Sequence, residues 1–246
     1  MTFFVCGSSY SSGDGLLNRL EQRWSTIFSG LINEDVENYA KDGGSTDFVI
    51  YTTIKNVLKN DYKKVIITWP PIDRIMLVRR ENNFLIEGNA THTNNLYGNQ
   101  EEFVKFLSLY YKNWTNDLFT LKITLQKILL LQTWLQNANC QYLFINTNSY
   151  NLSNWLNLNN LPIKVKKSML DAFDNMDDEQ ILAEQEEIKM LVSQLNLNIY
   201  DPIKFDLTSF CTNLNLIDPK TQHPSAEGHK NIAEYVFNLW SKSYLY

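Results

Sequence analysis

A fold of the α/β class, built on a mostly parallel sheet, is predicted by three observations. Short apolar runs alternate along the chain with segments whose apolar residues recur every three or four positions. The alternation starts within the first few residues and continues to the final segment, and no linker or repeat divides the 246 residues. Strands separated by helices run parallel, because each crossover returns the chain to the same end of the sheet, and the helices must then cover both faces. The expected organisation is one domain over 1–246, with insertions near 74–97 and 150–178 where the alternation fails.

Taken in order, Thr2 to Cys6 reads as a short buried strand, and residues 14–28 read as one amphipathic helix, with Leu16, Leu17, Leu20, Trp24 and Ile27 at helical spacing. A second strand is expected near Asp35 to Ala40, followed by the loop KDGGST and the helical pattern DFVIYTTIKNVLKN. KKVIITW at 63–69 is a third strand, QYLFIN at 141–146 a fourth and LNIYD at 197–201 a fifth. Between the third and fourth, RIMLVRRENNFLIEG suggests a hairpin. Residues 99–139 hold two helices or one broken near NWTND, ending in the strongly apolar ITLQKILLLQTWLQ. HPSAEGHKNIAEYVFNLWSK closes the pattern as a loop and a helix, with Ser225 as N-cap.

Composition narrows the function. A net charge of −5 and short, scattered basic pairs (Lys63-Lys64, Arg79-Arg80) argue against a nucleic-acid partner. Three widely spaced cysteines form neither a disulfide framework nor a metal-ligand pattern, so no metal and no cofactor is expected. The start MTFFVCGSS lacks the basic and apolar regions of a signal peptide, and no apolar run approaches the ~18 residues a membrane span needs. The expected protein is soluble, with a cytoplasmic or virion-associated location compatible.

Chemistry concentrates at the two ends. In parallel sheets ligands bind at the strands' carboxyl ends, which is where the loop GSSYSSGDG emerges. It lacks the G-K-[ST] of a P-loop, the G-x-G-x-x-G of a dinucleotide site and the G-x-S-x-G of a nucleophile elbow. What remains is a serine, Ser8 or Ser9, at a helix start where backbone N–H groups can face a developing oxyanion. A serine hydroxyl needs a base, and the chain offers His92, His223 and His229. His92 falls in a polar insertion and His229 inside the last helix. His223 lies in a loop fixed by Pro224, with Asp218 upstream as a candidate for its other ring nitrogen.

These blocks resemble the SGNH hydrolase superfamily, the GDSL-type esterases and lipases. FFVCGSSYSSGDGLL resembles the first block in its G-C-S-[FY]-[ST]-x-G variant, NYAKDGGSTD the second, N-x-A-x-x-G-x-S, and HPSAEGHKNIAEYV the last, H-P-x-x-x-G-H. The resemblance implies a three-layer α/β/α sandwich with a flavodoxin-like sheet. It implies a serine esterase with Ser9 as nucleophile and His223 as base, and with Asp218 as the acid. The Ser9 N–H with that of Gly43, or of Gly44 beside it, would form the oxyanion hole.

Two features depart from the pattern. The family's acid lies two or three residues before its histidine, whereas Asp218 lies five before His223, so a Ser-His dyad oriented by a backbone carbonyl is the alternative. The third block's asparagine is missing from TWPPIDR, where Trp69 and Arg74 resemble a Trp/Arg variant and are candidate substrate contacts. The expected substrate is a small-molecule or glycan ester with a short acyl group such as acetyl, which insertions carrying Tyr97, Trp155, Arg79 and Arg80 would suit, packing of the insertions themselves being the alternative role of the aromatics. The rival expectation is a surface or virion module that keeps the fold and has lost efficient chemistry. Asparagine, lysine and isoleucine usage suggests an AT-rich bacterial or phage genome.

Overall fold

The computed structural model describes residues 2–71, 74–78, 85–88, 117–147, 178–199 and 206–245. His92, Tyr97, Arg79, Arg80, Trp155 and the 150–178 insertion up to residue 177 lie outside them. Four strands form one parallel sheet: β1 (Phe3–Cys6), β2 (Val36–Asn38), β3 (Lys64–Trp69) and β6 (Gln141–Asn146), in the order β2-β1-β3-β6. The register runs Phe3 opposite Val36 and Lys64, and Lys64 opposite Gln141. Between β3 and β6 the expected hairpin is present, β4 (Ile75–Val78) pairing antiparallel with β5 (Leu85–Gly88).

Side-chain alternation along the central strands sorts the apolar residues into two cores. Phe4, Cys6, Val65, Ile67, Tyr142 and Phe144 face α4 (Thr46–Asn60), α5 (Asp117–Asn137) and α6 (Asp178–Ser193). Phe3, Val5, Ile66, Leu143 and Ile145 face α3 (Trp24–Ile32), α7 (Leu207–Asn213) and α8 (Ala226–Tyr244). The result is the three-layer α/β/α sandwich. On the second face Phe3 sits edge-on to Phe28 (5.2 Å between centroids) and to Trp240 (4.7 Å), so the first strand is wedged between α3 and α8. The three cysteines are buried thiols with no disulfide, and burial pushes that of Cys211 up to about 12.

Two expectations need correction. The single helix over 14–28 is instead a turn and two helices, α2 (Arg19–Gln22) and α3, and a further one-turn helix, α1 (Ser9–Ser12), precedes it. α1 ends at Gly13, and both Gly13 and Gly15 take positive φ. Arg23, at φ −66 and ψ 145, is extended and separates α2 from α3. Leu17 and Leu20, which made the helical spacing look continuous, are 103% and 68% exposed, so they bury no face at all. The fifth strand is not formed over residues 197–199, which make a turn. Among the described residues the carbonyl of Ile199 accepts from the Phe144 N–H (3.2 Å) and a parallel bridge joins Asn146 to Asp206; residues 200 and 201 of the expected strand lie outside them. Among the described residues no helix is long and apolar enough to cross a membrane.

Candidate active site

The head of the site is the loop after β1. Gly7 passes so close to β3 that a Cβ there would lie 1.9 Å from Thr68 Oγ1, which explains why the chain turns on glycine. Ser8 takes the N-cap position and its carbonyl accepts from the N–H groups of Ser11 and Ser12 (2.9 and 3.0 Å), placing Ser9 at the first helical position, 5% exposed. At that position a backbone N–H has no carbonyl a turn earlier to bond, and among the described residues Ser9 N–H has no partner. The short helix is braced from below. Ser11 Oγ bonds Thr68 Oγ1 (2.5 Å) and accepts from the indole of Trp24 (3.1 Å), and Asn38 Nδ2 donates to the Ser11 carbonyl (2.7 Å).

The loop after β2 is the second component. Asn38 Oδ1 accepts from Ala40 N–H (2.8 Å), starting a turn, and Lys41 N–H donates to the Gly7 carbonyl (3.2 Å), so the loop is stitched to the head. Gly44 N–H is committed to the Lys41 carbonyl (3.0 Å). Gly43, at φ 76 in the left-handed region that side chains resist, has an N–H with no partner among the described residues. Of the two glycines, Gly43 therefore has the available donor. Arg74 Nη1 donates to the Gly44 carbonyl at 3.4 Å, which brings Arg74 to this loop. Trp69, at the end of β3, is enclosed edge-on against Phe144 (5.1 Å), with its indole N–H buried and without a partner among the described residues.

The tail supplies the third component. Residues 217–224 close a tight turn: Ile217 bridges Pro224, Asp218 N–H donates to the His223 carbonyl (2.8 Å) and Gln222 N–H to the Asp218 carbonyl (2.8 Å). The Asp218 carboxylate serves this turn, accepting from the N–H groups of Lys220 (2.7 Å) and Thr221 (3.3 Å), and makes no hydrogen bond to the imidazole. His223 Nδ1 instead meets the Thr221 carbonyl at 2.7 Å. A carbonyl can only accept, so the neutral ring carries its proton on Nδ1 and its lone pair on Nε2.

That nitrogen faces the head of the chain. Asp14 Oδ2 lies 3.8 Å from Nε2, and the Tyr10 ring lies 5.6 Å from the imidazole. A Cβ on Gly15 would be 2.8 Å from Thr221 Oγ1. Burial pushes the Tyr10 hydroxyl above its ordinary range. Serine-bearing head and histidine-bearing tail thus meet at one rim of the sheet.

The chain matches no protein-family model and no curated protein. Solved structures do match over nearly its whole length. The esterase EstA from Pseudoalteromonas sp., in a structure inhibited by monoethylphosphonate, is 10% identical, with 98% of this chain and 97% of that one covered and a TM-score of 0.50. The chain has the SGNH/GDSL fold. A lipase/acylhydrolase from Enterococcus faecalis (12% identity, 97% and 94% covered, TM-score 0.49) and a member of the lipolytic protein G-D-S-L family from Veillonella parvula (15%, 98% and 100%, 0.47) are also similar.

On this SGNH/GDSL scaffold the loops after β1 and β2 and the turn before α8 converge as the sequence blocks suggest. Which carbonyl meets His223, and which charged residues surround it, escaped the sequence reading. The carbonyl of Thr221 is a backbone atom that no residue type announces. Asp14 in the head loop, Arg19 on α2 and Asp42 in the loop after β2, with Arg19–Asp42 at 2.9 Å, offered only their charge as a signal. His229, six residues beyond His223 in sequence, is fully enclosed; its Nδ1 accepts from the Trp24 N–H at 3.1 Å, and burial lowers its pKa to about 4.

Proposed function

We propose that the protein is a serine ester hydrolase in which Ser9 is the nucleophile and His223 the base. The observation that carries this reading is the 2.7 Å contact of His223 Nδ1 with the Thr221 carbonyl, which leaves the basic Nε2 facing the head loop. In the first step Nε2 takes the Ser9 hydroxyl proton as Oγ bonds the acyl carbon. The N–H groups of Ser9 and Gly43 receive the oxyanion. Collapse of the tetrahedral intermediate breaks the ester C–O bond, and Nε2 returns the proton to the leaving alcohol. Water, deprotonated by the same nitrogen, then releases the acid and restores Ser9.

A carbonyl at Nδ1 orients the imidazole and accepts its N–H, but offers a partial charge where a carboxylate offers a full one. Ser9 and His223 are therefore a dyad, with Asp218 acting on the histidine through the turn it caps. The rim beside the dyad carries Asp14, Arg19 and Asp42, which suits a short acyl group such as acetyl on a hydroxyl-rich alcohol better than a long lipid chain. One observation favours the second reading, a binding module with slow chemistry: β3 ends in an enclosed Trp69 where the family offers an asparagine donor, and loss of one such donor costs about 10² to 10³ in rate.

Labelling with a fluorophosphonate, alongside turnover of p-nitrophenyl acetate, tests the assignment. Wild type is expected to take one label per chain and Ser9→Ala none. Folded wild type that stays unlabelled overturns the esterase reading in favour of the module, and ester turnover that survives Ser9→Ala removes Ser9 from its role.

A further inference from the structure

Asp42 immediately precedes the free N–H of Gly43, and its two carboxylate oxygens are taken up by different parts of the head. Oδ1 accepts from Ser12 Oγ, on the same short helix as Ser9, and Ser12 Oγ also contacts the Ser9 carbonyl (3.1 Å). Oδ2 accepts from Arg19 Nη1 at 2.9 Å, and the other arm of that guanidinium reaches Asp14 at 3.1 Å, the carboxylate that faces His223 Nε2. A continuous polar chain, Ser12–Asp42–Arg19–Asp14, therefore ties together the short helix that carries Ser9, the loop that carries Gly43 and the carboxylate that lies 3.8 Å from His223 Nε2.

The other ties on the loop do not do the same job. Lys41 N–H to the Gly7 carbonyl and Asn38 to Ala40 fix its entry, and Gly44 N–H to Lys41 fixes its exit. Asn38 Nδ2 also reaches the Ser11 carbonyl on α1, but it does so from the end of β2, four residues before Asp42. α1 is one turn long, so it has little stiffness of its own to hold Ser9 against that loop.

We propose that Asp42 is a positioning residue: by bridging Ser12 and Arg19 it holds the Gly43 N–H in register with Ser9, so that both donors point at one oxyanion. The proposal rests on the Ser9 reading for its catalytic consequence but not for the bridge itself. Misplacing a donor by about 1 Å costs on the order of 10²-fold when the ground state is little affected, so the loss belongs in kcat and not in KM.

The test compares wild type, Asp42→Ala and Asp42→Asn, since asparagine keeps one acceptor oxygen for Ser12 while its amide N–H cannot accept from Arg19, so it retains half of the bridge. For p-nitrophenyl acetate, Asp42→Ala is expected to lower kcat about 10- to 100-fold with KM within twofold, and the fluorophosphonate labelling rate by the same factor. Asp42→Asn is expected to recover at least half of the loss on a logarithmic scale. Ser12→Ala should cost little more once Asp42 is gone. Hydrogen exchange over residues 39–45 reads the bridge without turnover, and Asp42→Ala is expected to speed it at least tenfold while Tm moves by only a few degrees. Unchanged exchange overturns the proposal, as does a labelled, active enzyme whose kcat is indifferent to Asp42→Ala. A wild type with no label but with Asp42-dependent exchange sinks the Ser9 reading and the catalytic half of the proposal, and keeps the bridge.

Discussion

His223 and His229 lie on one stretch of chain, yet their surroundings make them opposite instruments. The Nδ1 of His223 faces a carbonyl, so its proton stays there and Nε2 is left basic, partly exposed, and turned toward Asp14 and Tyr10. The Nδ1 of His229 accepts a backbone N–H from Trp24, so its proton must sit on Nε2, sealed inside the second core where no substrate reaches it. One partner atom decides which nitrogen is free, and burial decides whether freedom matters. The lesson is that a histidine's role in this fold follows from the backbone at its Nδ1 and not from its distance along the sequence to a serine.

The comparison breaks most visibly under substitution. His223→Ala is expected to cut kcat/KM for an acetyl ester by about 10⁴-fold or more while the melting temperature falls by only a few degrees, because the partly exposed ring packs on Tyr10 and its own turn and not in the core. His229→Ala is expected to do the reverse: a stability loss of about 3 kcal/mol in urea titration, from the cavity and the orphaned Trp24 N–H, with activity per folded molecule within tenfold of wild type. If both variants lost activity and kept stability, the two rings would not differ in the way described.

Acid sharpens the same contrast. His229 is held near 4 in the folded protein against about 6.5 unfolded, so between those values the unfolded chain binds the proton that the folded one refuses. Its contribution is fully present above pH 6.5 and is lost as pH falls toward 4, a slope worth on the order of 3 kcal/mol in total. Urea midpoints measured from pH 7 to 4 should show it, and His229→Gln should flatten that limb.

Smaller effects test the turn that carries His223. Gly15→Ala forces a side chain into a left-handed φ of 85° and against Thr221, and is expected to cost about 1–2 kcal/mol and a few-fold in kcat. Asp218→Asn, which can still accept from the Lys220 and Thr221 N–H groups, is expected to stay within about fivefold of wild-type activity. A fall of a thousandfold there would mean that the carboxylate swings to the imidazole during turnover and that the site is a triad.

Much of the scaffold was legible because burial on both faces turns a strand into an uninterrupted apolar run, as in Phe3–Cys6, Lys64–Trp69 and Gln141–Asn146. Ser225 was legible as an N-cap because a hydroxyl ahead of a helix has one job there, and it accepts from Gly228 N–H at 3.1 Å. The broken head was not, since Leu16, Leu17 and Leu20 repeat at helical spacing whether or not they are buried, and only the backbone at Gly13, Gly15 and Arg23 shows the interruptions. At the site, the serine and histidine could be singled out by chemistry. The partner at Nδ1 could not, because a carbonyl is common to every residue and only the closed turn brings the one on Thr221 into place.

The break at Arg23 leaves the Trp24 amide at the start of α3 to be met by His229, while Trp240 rests on Phe3. Phe3 and Trp24 thus depend on partners more than 200 residues further along the chain. A polypeptide lacking α8 would leave the second core open at Phe3 and the Trp24 amide unmet, so the wall behind the head loop closes only when that helix packs.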